Sequence, residues 1–384
     1  MQQSAPLNPC EELKRSIDSP SSGSSPEKPS KLAKTEDLQD CDEEEEEKQS
    51  EHHQIMNPNP RIQRYLVGIE YIGTRFSGSQ KQPVCRTVVG VLEEAFRKFI
   101  GQPVSIICSS RTDAGVHALS NVCHVDVERI SKRKPGEVLP PHEPGVVRKA
   151  VNHFLQKGEG DITVVDVRCV PADFHARYRA QERTYFYRML SGPEPLSTFE
   201  KDRAWHVSEE LDIVAMQNAS KVLVGCHDFS SFRAAGCQAT SPIRTLDELS
   251  ISEVVSTPYF PSSMERAQAN LMEQDPIACS SASGIELTSK GSISNHDKVE
   301  GLDAVCGQEF GQRRRHRCYV ITARARSFLY HQVRLLVGVL KAVGTGDLTT
   351  CDVERILNAK TVTAASPMAP ACGLYLGRVK YELP

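Results

Sequence analysis

No apolar run in this 384-residue chain approaches the roughly 18 residues of a spanning helix, so a helical membrane protein is excluded. The opening stretch MQQSAPLNPCEELKRS lacks the apolar centre of a secretory signal, and its acids are unlike a mitochondrial transit peptide; neither leader is expected. The 13 cysteines, an odd number, include no Cys-x-x-Cys pair. That absence argues against a zinc site and a disulfide framework, and reads as reduced thiols inside a cell. The 12 histidines contain no His-Glu-x-x-His, and no metal is expected.

What is there is a divided charge. The formal total of −3 conceals residues 1–60, which hold 14 Asp/Glu against 6 Lys/Arg, and a second acidic stretch at 256–310 with 8 acids and 3 bases. The rest, 61–255 and 311–384, stands at +10 over 269 residues, enough for one large domain or two ordinary ones. A body of that sign suits a polyanionic partner. Residues 1–60, rich in Ser, Pro, Glu and Lys, bury too little apolar surface to offset their ordering entropy and are expected to be disordered. Such a tail is either simply solvated or a competitor for a basic groove. Residues 256–310 lose all periodicity and read as an inserted surface loop.

Between these stretches the pattern alternates. Tyr65–Tyr71 predicts a strand; Thr87 opens a helix with apolar positions Val88, Val91, Leu92, Ala95, Phe96 and Phe99. Strands are expected over 104–108, 121–127, 162–170, 183–190, 246–255, 318–326 and 374–381. Helices are expected over 146–155, over 209–223 with Ser208 as N-cap, over 333–343 and over 353–357. Strands and helices in two similar passes point to an α/β protein of the α+β kind, two lobes sharing a cleft.

The sharpest feature is Arg111-Thr112-Asp113-Ala114-Gly115-Val116-His117-Ala118, between two predicted strands. Small residues around one Asp and one Arg allow a backbone to approach a ligand closely. The plain alternative is a turn in which Asp113 caps an amide. An aspartic protease needs Asp before Thr/Ser-Gly, whereas here Thr112 precedes Asp113. A glycosidase needs a second carboxylate about 5–10 Å away, and no nearby acid has a claim.

The segment SSRTDAGVHALSN resembles the nucleophile motif of the tRNA pseudouridine synthase A (TruA) family. The resemblance extends, in the family's order, through Arg64–Tyr71, Asp173-Phe174-His175-Ala176-Arg177, Arg183–Arg188 and Gly225–Phe232. It continues in Phe328-Leu329-Tyr330-His331-Gln332-Val333-Arg334 and closes with Ala369–Leu376. Within the family the chain is most similar to the animal branch called tRNA pseudouridine synthase-like proteins. The resemblance implies the pseudouridine synthase fold, with two lobes of mainly antiparallel sheet joined across a central cleft. The N-terminal lobe would span 61–165 and the C-terminal lobe 166–384. It further implies isomerisation of uridine to pseudouridine in a structured RNA, tRNA foremost, without cofactor or metal, by a protein that pairs as a homodimer. A rival reading keeps the fold as an RNA-binding or RNA-folding module without catalysis, and another has a small uridine nucleotide as substrate.

By the same resemblance Asp113 is the nucleophile, attacking ribose C1′ or uracil C6. Arg334 pairs with its carboxylate through two parallel hydrogen bonds; a nearby cation is what keeps a buried carboxylate charged. Tyr185 stacks on the everted base, with Tyr187 as its rival of like parity. Arg111 enters the vacated space or holds a phosphate. Arg75, Lys81, Lys132, Arg133, Lys134, Arg177, Arg179, Arg183 and Arg313-Arg314-Arg315 form a set of candidate phosphate contacts. His331 is expected to be a satisfied core histidine. The loop after Phe76-Ser77 departs from the family in lacking an aromatic after Gly78. Compartment stays open between cytoplasm, nucleus and mitochondrion.

Overall fold

The structure, a computed structural model, describes residues 61–134, 136–254, 316–365 and 367–383. The acidic tail, the 256–310 insert and the Arg313-Arg314-Arg315 run therefore lie outside the described residues.

Among the described residues ten strands form one mixed sheet: β1 (Ile62–Tyr71), β2 (Ile106–Cys108), β3 (His117–Glu128), β4 (Ile162–Val170), β5 (Glu182–Ser191), β6 (Trp205–Val207), β7 (Gly225–Asp228), β8 (Ile243–Val254), β9 (Arg317–Ala325) and β10 (Leu374–Lys380). The order is β4-β1-β3-β10-β5-β9-β8-β7, with β2 on β3 and β6 on β5. Most neighbours are antiparallel; β10 runs parallel to β3 over only Tyr375↔His117 and Leu376↔Ala118, and β6 runs parallel to β5. That short parallel contact is the seam between an N-terminal half (β4-β1-β3) and a C-terminal half (β10-β5-β9-β8-β7). The boundary expected at 165/166 falls inside β4, whose pairing with β1 keeps the whole strand in the N-terminal half.

The helices follow from their caps and apolar spacing. Helix α1 (Val88–Ile100) starts where Thr87 Oγ1 accepts the Gly90 amide, a cap worth about 1 kcal/mol. Helix α2 (Pro144–Gln156) has Pro at its first position and packs on α1 and β4. Helix α3 is Ile213–Leu223, shorter than expected: Asp212, not Ser208, is the cap, its carboxylate accepting the Ala215 amide. The Asp212 amide donates to Gly344 O, so tertiary contact fixes where the helix begins. Helices α4 (Gln332–Gly344) and α5 (Thr350–Ala359, with a Thr349/Asp352 capping box) cover the C-terminal half together with α3. Helix α4 is buried nearly all round, from Gln332 and Val333 through Leu335–Leu340 to Gly344, which fixes its first turn, and Arg334 with it, against the core.

Candidate active site

The motif loop lies at the seam. It runs from the end of β2 to the start of β3, and β3 enters the sheet at the residues that meet β10. Across the seam, one row of registered residues reads Ala118 (β3), Leu376 (β10), Tyr185 (β5), Ala323 (β9). With about 4.8 Å between adjacent strands, Tyr185 stands two strands, on the order of 10 Å, from the loop's exit.

The loop is held by its own small polar residues. Asn121 accepts from Ser109 Oγ (2.9 Å) and the Val122 amide (2.8 Å), and donates to Ser110 O (3.2 Å). Thr112, buried, exchanges a 2.8 Å hydroxyl hydrogen bond with Tyr71. The Phe76–Gln80 segment braces the loop from the other side: the Thr112 amide donates to Ser79 Oγ (2.8 Å) and the Ser79 amide to Thr112 O (3.0 Å). Ser79 is 1% exposed, so the residue that departs from the family pattern supports the loop from within. Gly115 turns the chain at φ +80°, where a side chain would be strained. Asp113 is thereby presented from a rigid turn with its side chain only about a quarter exposed, at 26%.

Two cationic or donor groups from the start of α4 meet that carboxylate. Arg334 Nη1 lies 3.6 Å from Asp113 Oδ2, and His331 Nε2 lies 3.2 Å from the same oxygen. The paired hydrogen bonds expected of Arg334 are not formed. Its Nε donates instead to Ala369 O (2.8 Å), and the Ala369 amide donates back to Arg334 O (3.0 Å). The reason is the docking of the 367–370 segment on α4. A Cβ at Gly338 would stand 1.8 Å from Pro367 O, so only glycine lets this segment lie so close. His331 also differs from expectation: it caps α4 in the left-handed region (φ +63°) and its ring faces the carboxylate. Its i, i+3 spacing to Arg334 at a helix start was the available signal.

Tyr185 and Tyr187 separate cleanly. Tyr187, fully buried, donates its hydroxyl to Pro370 O (2.7 Å), and Gly373 leaves room for its ring, which a Cβ there would approach to 2.6 Å. Tyr185 packs edge-on to Phe328 (5.2 Å, 87°). Burial pushes its phenol up, Asp113's charge adding to that, while Arg183 and a hydrogen bond with Ser110 oppose it. It is thus a neutral aromatic within the electrostatic reach of Asp113. Arg111 is not brought to Asp113: it is exposed, with Nη1 donating to Gln238 Oε1 (3.2 Å) at the rim.

Several candidate phosphate contacts have other partners. Arg183 is 9% exposed and donates to Ser110 Oγ (3.0 Å), Ser109 O (3.0 Å), Arg177 O (2.9 Å) and Arg326 O. Composition could not reveal this, because an arginine on a strand reads as a surface cation until its acceptors are placed. Arg75 pairs with Asp161 (2.5 Å), Lys81 with Glu93 (2.5 Å) and Arg179 with Asp173 (3.2 Å). Arg177 lies over the Tyr178 ring, and Lys134 stands 3.7 Å from Glu137; Lys132 and Arg133 are exposed at the far end of β3.

An ordered Asp loop thus lies at the seam of a mainly antiparallel sheet, faced by an arginine from a distant helix, with an aromatic of the central strand near by. The family model described as tRNA pseudouridine synthase matches residues 68–179 and 219–382, and the chain belongs to that family. It is 36% identical over 319 residues to tRNA pseudouridine synthase A of Parvibaculum lavamentivorans, covering 83% of this chain and 99% of the relative. It is also 36% identical over 320 residues to the protein of the same name from Rhodospirillum centenum, covering 83% and 100%. The corresponding protein of Xanthobacter autotrophicus is 36% identical over 318 residues, covering 83% and 99%.

Proposed function

We propose that this chain isomerises uridine to pseudouridine in tRNA, with Asp113 as the nucleophile. The reaction breaks the bond between uracil N1 and ribose C1′, turns the base, and joins C5 to C1′. The C5 proton is lost and N1 takes one up, so atoms and electrons balance without a redox partner. The observation that carries the reading is Asp113 held at the seam with Arg334 and His331 on its carboxylate and Tyr185 near by. Arg334 supplies a counter-charge 3.6 Å from the carboxylate. Tyr185 offers a π face to an everted base, and Arg111 stands at the rim where the flanking backbone would pass. We assign the protein to an intracellular compartment and to a homodimer gripping one tRNA; other structured RNAs remain within its range. The exposed Lys132 and Arg133 serve as phosphate contacts for such an RNA.

The test is release of tritium from tRNA labelled at uridine C5. Wild type is expected to release it with turnover and Asp113→Ala to release none, both binding tRNA alike. Equal, negligible release by both, with binding intact, returns the chain to the RNA-binding module. Equal release from free labelled uridine nucleotide would instead make a small nucleotide the substrate.

A further inference from the structure

Arg334 is not the group nearest the nucleophile. His331 Nε2 stands 3.2 Å from Asp113 Oδ2 and Arg334 Nη1 3.6 Å, both at ion-pair distance with the histidine the nearer. Arg334 is further tied by its Nε to Ala369 O, so it cannot present its fork edge-on to the carboxylate. The histidine is held where it is at a conformational cost. Its backbone lies at φ +63°, where a non-glycine residue is strained, and such strain persists only where surrounding contacts over-determine it. Those contacts are present. The ring stacks on Tyr330 (3.8 Å, 29°), Leu335 N donates to His331 O, and Tyr330 O accepts the Ala234 amide. The following Gln332 accepts the Leu329 amide at 2.8 Å and is 1% exposed, which fixes the turn on its other side.

We propose that His331 is a positioning residue for the nucleophile: its Nε2–H donates to Asp113 Oδ2 and, with Arg334, anchors that oxygen so that Oδ1 is the one that attacks. Both closest approaches from α4 fall on Oδ2, which is what separates an anchored oxygen from a reacting one. Either the neutral Nε2–H tautomer or the cation can make this bond, so the role needs no particular charge on the ring. The inference rests on Asp113 being the nucleophile.

The experiment compares wild type, His331→Asn and His331→Gln in single-turnover tritium release, with tRNA affinity and unfolding measured on each. Asparagine tolerates the left-handed backbone at least as well as histidine, so it preserves the fold, but its amide is too short to stand in for Nε2. Glutamine places its amide nitrogen near the Nε2 position. His331→Asn is expected to slow the bond-making step about 10- to 100-fold, since misplacing a reacting group by up to about 1 Å costs up to about 100-fold, with tRNA affinity and stability unchanged. His331→Gln is expected to recover most of that loss. Full activity in His331→Asn overturns the proposal. Equal slowing by Asn and Gln, or a parallel loss of tRNA affinity, also overturns it, pointing to ring packing or RNA contact instead. If wild type itself releases no tritium, the activity reading fails, which is a separate result.

Discussion

Replacing Arg183 with methionine keeps the apolar stem and removes every donor of a guanidinium that ties three other segments to β5. Ser109 and Ser110 belong to the loop that carries Asp113, Arg177 to the turn before β5, and Arg326 to the approach to Phe328, Tyr330 and His331. Each hydrogen bond from a charged donor contributes about 1.5–3 kcal/mol, and the carbonyls left behind cost about 1–3 kcal/mol each where they stay dry. Against this stands the relief from no longer desolvating a buried cation, several kcal/mol by itself. The net loss is expected near 3–5 kcal/mol, the size found when one member of a buried charged set is removed. That is a large part of the roughly 5–15 kcal/mol that holds a domain folded. Urea unfolding read through the single tryptophan, Trp205, which packs edge-on to Tyr187, measures it directly. Where the variant is still folded, turnover should fall by more than tRNA affinity, since a shift of about 1 Å between reacting groups costs on the order of 100-fold. Arg183→Lys should sit between, because one ammonium cannot reach four acceptors. Stability within about 1 kcal/mol of wild type, combined with a shallower salt dependence of tRNA binding, would refute the reasoning and make Arg183 a phosphate contact after all.

Tyr187→Phe should cost about 1–2 kcal/mol by leaving Pro370 O without its 2.7 Å partner, while turnover stays close to wild type; a collapse of turnover at unchanged stability would reverse the roles of the two tyrosines. Gly338→Ala should destabilise by about 1–3 kcal/mol and also slow turnover, because the displaced 367–369 segment takes the Arg334 tether with it; thermal unfolding and single-turnover rates together test this. Stability should fall on acidification from about pH 6.5 to 4. His124, buried against Ala176 and flanked by Arg64 and His175, is pushed down to about 4, chiefly by burial, so across that window the unfolded chain binds the proton and the native one does not. The full effect is up to about 3 kcal/mol, and His124→Leu should flatten the slope in a pH series of urea unfolding curves even if it lowers stability overall.

The fold was legible wherever one period ruled a segment. Helix α1 was readable to its cap because Thr87 and the spacing from Val88 to Phe99 agree, and β4 was expected over its observed span. What could not be read depends on tertiary partners. The start of α3 moved from Ser208 to Asp212 because the Asp212 amide is satisfied by Gly344 O on another helix. Strands β6 and β7 escaped notice because three or four residues carry no measurable alternation; pairing with β5 and β8 makes them strands. The short parallel contact between β10 and β3 that closes the sheet likewise has no local signature.

The site divides along the same line. The side-chain types were visible because the motifs that carry Asp113, Tyr185 and Arg334 resemble those of the family. The geometry between them was not. Ala369 takes the Nε of Arg334 and so removes its side-on edge from the carboxylate, and whether Ala369 can come so close is decided by the absent side chain of Gly338. His331 was discounted because a histidine at a helix start is unremarkable as a residue type; it becomes a partner of Asp113 only through a left-handed φ that composition does not encode. The helix therefore brings two groups to one oxygen by way of a strained N-cap residue and a glycine in its second turn. Removing the Nε2 donor with His331→Asn and filling the glycine with Gly338→Ala perturb those two supports separately. If the nucleophile needs both, the two changes made together should slow turnover by more than either alone. If the arginine suffices, the asparagine change will add nothing.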